Sequence, residues 1–130
     1  VDPEALPRVK QFERFLNEYQ PEFLFGETPL YSKMFNYACT IDFLFMLLGK
    51  PAIIEVKTGI SGLAAKLQTA GQKQAIEENM GFKNVQRYAF ELSGVGNYKF
   101  VPHTDLGDKP MAMNAVAMVN RRINEKELSI

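Results

Sequence analysis

Residues Pro51-Ala52-Ile53-Ile54-Glu55-Val56-Lys57-Thr58-Gly59 read PAIIEVKTG. An aliphatic, β-branched run bounded by proline and glycine is the signature of a strand buried in a sheet. Its interior nevertheless carries a carboxylate and an ammonium two positions apart. Side chains alternate along a strand, so Glu55 and Lys57 share one face. Burying such charges costs several kcal/mol per ion unless they are paired or coordinated. That face is therefore either solvated or used.

Working outward, a very short Gly49-Lys50 connection joins this strand to NYACTIDFLFMLLG, residues 36–49. Lys33 to Asn36 join that run in turn to EFLFGETPLYS, residues 22–32. Short connections between strands predict an antiparallel meander, and Pro29 places the first strand at an edge. Ahead of it, Asp2-Pro3 offers a cap and a first-turn proline. Val9, Phe12, Leu16 and Tyr19 then recur at helical spacing up to Pro21. Beyond the Gly59–Gly62 break, Leu63, Leu67, Ala70, Gly71 and Gln74 mark a helix over 63–80 that Gly81 stops. Tyr88, Phe90 and Leu92 alternate with Arg87, Ala89 and Glu91 as a fourth strand. Tyr98 to Pro102 form a fifth, and Met111, Ala115, Met118 and Arg122 a closing helix. The expected fold is α/β (mixed α+β): a central mixed sheet of about five strands, the first three antiparallel, flanked by helices. Residues 1–130 form a single domain of this kind.

Fifteen basic and fifteen acidic residues cancel, which argues against a broad electrostatic footprint for nucleic acid but allows a local basic rim. A single cysteine, Cys39, rules out an internal disulfide and fits a reducing compartment. The longest apolar run, IDFLFMLLG, is interrupted by Asp42 and is too short to span a membrane. No stretch reads as a secretory leader. The expectation is a cytoplasmic protein without membrane attachment.

Register carries the functional argument. With Gly49-Lys50 as a two-residue loop, Asp42 falls across from Lys57, with Glu55 on the diagonal. With Lys33 to Asn36 as a four-residue loop, Glu27 falls across from Asp42. Opposed residues stand about 5 Å apart at Cβ and diagonals about 7–8 Å, so three carboxylates and a lysine converge on one patch. Acids this close raise one another's proton affinity or attract a cation. Oxygen ligands on a rigid sheet suit Mg²⁺ or Mn²⁺, and a lysine beside the metal serves phosphodiester hydrolysis. The alternative is a solvated ion pair between Lys57 and Asp42 or Glu55 on a half-exposed sheet.

The order YACTID, IIEVKTG, KLQTAGQKQA resembles the PD-(D/E)XK nuclease superfamily, closest to its RecB-like branch of phage and prophage exonucleases. The likeness covers roughly Glu27 to Asp105 and implies a restriction-endonuclease-like core. It implies that Asp42 and Glu55 bind Mg²⁺ or Mn²⁺ together with the backbone carbonyl of Val56. Lys57 would orient or activate water, Gln68 would support that lysine or touch DNA, and Glu27 would be an additional ligand. Relatives often carry glycine where Cys39 stands and an aromatic where Gln72 stands. The expected activity is metal-dependent DNA hydrolysis in recombination or repair, with DNA and a recombination or annealing protein as partners. The alternative is a silent nuclease-like module that binds DNA or a protein.

Lys33, Lys66 and Lys73 are candidates for contacts to a DNA backbone, each adding salt dependence. His103, the one histidine, reads as a surface or hydrogen-bonded residue, and Cys39 as a small core residue. No glycine-rich phosphate loop precedes a helix, which disfavours P-loop nucleotide hydrolysis.

Overall fold

The computed structural model describes residues 3, 5–93 and 95–128, with side chains as far as 126. In chain order they form α1 (Leu6–Tyr19), β1 (Glu22–Ser32), β2 (Tyr37–Leu47) and β3 (Lys50–Lys57). Then come α2 (Leu63–Met80), β4 (Gln86–Glu91), β5 (Lys99–Pro102) and α3 (Asp108–Leu128). The five strands make one mixed sheet in sequential order, with β1, β2 and β3 antiparallel. β4 runs parallel to β3, and β5 antiparallel to β4. A parallel step needs a crossover, and α2 supplies it. β1 is an edge strand, as Pro29 predicts.

α1 begins at Leu6 behind Ala5, with Pro7 in its first turn, where a missing amide proton costs nothing. The cap expected at Asp2 lies outside the described residues. The face turned to the sheet is Phe12, Phe15 and Leu16, whereas Val9 and Tyr19 sit at its margins. Phe15 is fully buried, its ring within 4.8 to 6.2 Å of the rings of Phe90, Phe100, Tyr98 and Phe45. On the other face of the sheet Ile76 of α2 packs with Ile41, Leu44, Ile53 and Val85. α3 rests on α2, where Ala112 and Met113 meet Ala70, Leu67, Phe35 and Tyr37.

Two irregularities position the site. Cys39 and Ile41 pack on the α2 side, whereas Phe43 and Phe45, of the same parity, pack with the α1 cluster. A regular strand would keep all four on one face, so β2 turns over at Asp42. Opposite that point in register, between the Gly26–Phe43 and Thr28–Ile41 pairs, lies Glu27 with a left-handed φ of +45°. A Cβ on Gly26 would come within 3.0 Å of the Asp42 carbonyl oxygen, so only glycine lets β1 approach there.

The second irregularity corrects the expected register. The β2–β3 turn closes at Leu48-Gly49, both with positive φ (+51° and +81°), the geometry that matches strand twist in a two-residue hairpin. Lys50 joins β3 and pairs with Leu47. The slip is two residues, so every side chain keeps its face while its partner changes. One step beyond the Phe43–Ile54 pair, Asp42 comes opposite Glu55 rather than Lys57.

Candidate functional site

Glu55 is 3% exposed on β3, beneath the amino-terminal half of α2. Gln68 donates its amide to Glu55 Oε1 at 2.7 Å, and Gln72 donates to Oε2 at 3.0 Å. Lys57 Nζ donates to Gln68 Oε1 at 3.2 Å and stands 3.6 Å from Glu55 Oε1. Residues 68 and 72 lie four apart on the helix, so both reach the same strand position. On β2, Asp42 Oδ2 accepts the Val56 amide proton at 3.3 Å. Asp42, Glu55, Lys57 and Gln68, the four residues singled out from sequence, thus meet in one place.

Burial pushes the Glu55 carboxyl above its ordinary pKa. The Gln72 amide pulls it back, the charge of Asp42 pushes it up again, and the Lys57 ammonium opposes that. A buried acid facing another acid is the arrangement that a divalent cation relieves. The backbone adds a third oxygen. Leu92 donates to the Lys57 carbonyl, so residue 57 faces β4 and residue 56 faces β2. A strand residue sends its N–H and C=O to the same edge. The Val56 carbonyl therefore leaves toward Asp42, along with the amide that Asp42 accepts. Two carboxylates and a carbonyl are hard oxygen donors that fit Mg²⁺ or Mn²⁺ and leave coordination positions for water and phosphate.

Glu27 does not join them. Its register is the expected one, but its left-handed backbone breaks the strand's alternation and its side chain is exposed. Among the described residues no three Asp, Glu, His or Cys side chains gather closely enough to hold a metal. The expected convergence of three carboxylates is thus a pair.

The three lysines assigned to DNA lie elsewhere. Lys33 sits in the β1–β2 turn, where Glu78 near the far end of α2 accepts from Ser32 and from the Met34 amide. Ten helical residues separate Glu78 from Gln68, about 15 Å of rise. Lys66 and Lys73 are roughly 160° and 140° around α2 from Gln68, on the opposite flank of the helix. Lys73 is also engaged, donating to the Val85 carbonyl at 2.9 Å and pairing with Glu77.

Gln72 is the residue that sequence reasoning left without a role. It is fully buried, donates to both Thr40 O and Glu55 Oε2, and leaves its own Oε1 without a partner. Its spacing of four from Gln68 was the available signal. His103 is not at the surface: it is 5% exposed, just past β5, with Nδ1 2.8 Å from Thr69 Oγ1. Cys39 is half-buried against the α2-side cluster, and burial pushes its thiol up to about 11. No family model matches the chain, and no curated protein matches it. No helix among the described residues is long and apolar enough to cross a membrane.

Proposed function

We propose that the chain is a metal-dependent deoxyribonuclease, an exonuclease of the RecB-like kind serving phage or prophage recombination or repair in the cytoplasm. The observation that carries this reading is the chain of contacts from Lys57 through Gln68 to Glu55, with Asp42 on the facing strand. Asp42, Glu55 and the Val56 carbonyl would hold Mg²⁺ or Mn²⁺. The metal, when bound, supplies a Lewis acid for the scissile phosphate and a more acidic water. Lys57, fixed by Gln68, orients the attacking water and offsets charge that builds on the phosphate oxygens. Gln72 and burial keep Glu55 in one orientation and exclude bulk water from its inner side.

The test is hydrolysis of labelled linear duplex or single-stranded DNA with Mg²⁺ or Mn²⁺. Wild type degrades DNA and Lys57→Ala does not; equal rates for the two defeat the catalytic reading.

A second reading is a silent nuclease-like module that binds DNA or a recombination partner. What favours it is that both Glu55 oxygens are already taken by the amides of Gln68 and Gln72. Calorimetry with Mn²⁺ separates the two, since a silent module has no use for a divalent site.

A further inference from the structure

On the flank of α2 turned away from Gln68, a cavity of about 320 Å³ opens between α2, the start of β4 and the 103–109 segment. That size lies at the lower end of small-molecule sites. Its frame is rigid. Arg87 pairs with Asp108 at 3.1 Å and also donates to the Lys66 carbonyl, Thr69 Oγ1 and the Asp105 carbonyl. One guanidinium therefore locks α2, β4, the 103–107 loop and α3 together.

Two groups of the lining have capacity to spare. His103 is buried, its Nδ1 is engaged by Thr69, and its Nε2 finds no partner. A buried polar atom left unpaired costs roughly 1–3 kcal/mol, which a ligand in the adjoining cavity would recover. Lys109 forms no ion pair among the described residues, and its ammonium stands 5.9 Å from the Phe35 ring centre. The acids of the rim are occupied: Glu77 pairs with Lys73 and accepts the Val85 amide, and Asp105 accepts the Gly107 amide. Ala70, Val85 and the exposed Leu106 supply apolar surface. The complementary molecule has flat apolar faces, a hydrogen-bonding edge and one negative group.

We infer that this cavity binds a single nucleotide unit, its base edge at His103 and its phosphate at Lys109, apart from the Asp42–Glu55 pair. The cavity stands on its own lining; the choice of a nucleotide among anionic heterocycles rests on the nucleic-acid reading above. A free mononucleotide and the terminal residue of a DNA strand share this chemistry.

The experiment is an NMR titration of the ¹⁵N-labelled full chain in EDTA, where no hydrolysis occurs. The probes are the four deoxynucleoside monophosphates, deoxyadenosine, inorganic phosphate and a short single-stranded oligonucleotide. The expected result is that a monophosphate or the oligonucleotide shifts the amides of Lys73, Gln86, His103 and Leu106 and spares those of Glu55 and Lys57. Lys109→Glu, an exposed change that leaves the fold intact, weakens binding at least tenfold, and His103→Gln weakens it further. Monophosphate binding as tight as the oligonucleotide's points to a free nucleotide; binding of the oligonucleotide alone points to a strand end. Unmoved cavity amides, the same shifts with phosphate alone, or wild-type affinity in Lys109→Glu overturn the inference. Cavity binding without Mn²⁺-dependent hydrolysis would leave this inference standing and sink the nuclease reading.

Discussion

The Gln72 amide nitrogen lies 3.0 Å from both Glu55 Oε2 and the Thr40 carbonyl oxygen. Its two protons tie β3 to β2, two residues before Asp42, so one helix side chain governs how the two acids stand to each other. Replacing it with methionine keeps the volume and removes both bonds. Partners that orient a metal-binding group typically contribute 10- to 100-fold in affinity. Gln72→Met should weaken Mn²⁺ binding by about that factor in calorimetry. The rise in melting temperature on adding Mn²⁺ should shrink in parallel. A purely packing role would lower the metal-free melting temperature and leave the Mn²⁺-induced rise unchanged.

Arg87 and Asp108 form an ion pair whose side chains are 9% and 5% exposed. Removing one partner of a buried pair strands the other's charge and costs about 3–5 kcal/mol. Arg87→Ala should lose stability on that scale in urea denaturation. Arg87→Ala combined with Asp108→Ala should recover part of it, because no charge is then left alone.

His103 should make stability depend on pH. Burial lowers its pKa below 6.5, and the nearby Arg87 and Lys66 lower it further against the opposing charges of Asp108 and Glu91. The unfolded chain then takes up a proton that the folded ring refuses. Stability from this group is complete above pH 6.5 and is lost as the pH falls through the folded value. Urea midpoints of wild type should drop between pH 7.5 and 5.5 more steeply than those of His103→Gln. Parallel profiles would remove the histidine from the explanation.

Ser32 is fully buried at the end of β1, donating to Glu78 Oε2 at 2.6 Å and accepting from the Phe35 amide at 3.2 Å. Ser32→Ala should cost about 1–3 kcal/mol, the scale for stranding buried polar partners. Hydrogen exchange should rise at residues 33–36 while the Phe15 cluster stays protected.

The element order, the edge position of β1 and the meeting of Asp42, Glu55, Lys57 and Gln68 were legible in the sequence, because strand alternation and helix spacing are local properties. The β2–β3 partnering was not. Gly49 signals a turn, but Leu48 carries no sign that it takes a left-handed backbone, and that choice decides whether Asp42 meets Lys57 or Glu55. The conformation of Glu27 was equally hidden, since it answers to the turnover of β2 beside it. His103 looked like a surface residue because its burial is the work of α2 and Arg87, distant in the chain.

The left-handed bend at Glu27 and the proline at position 29 both fall on the outer strand of the sheet. A neighbouring chain seeking to extend the sheet there would meet a missing donor and a backbone twisted out of plane. An eleven-residue border that would otherwise template fibril growth is thereby made unreceptive, and the kink beside Asp42 also guards against self-association.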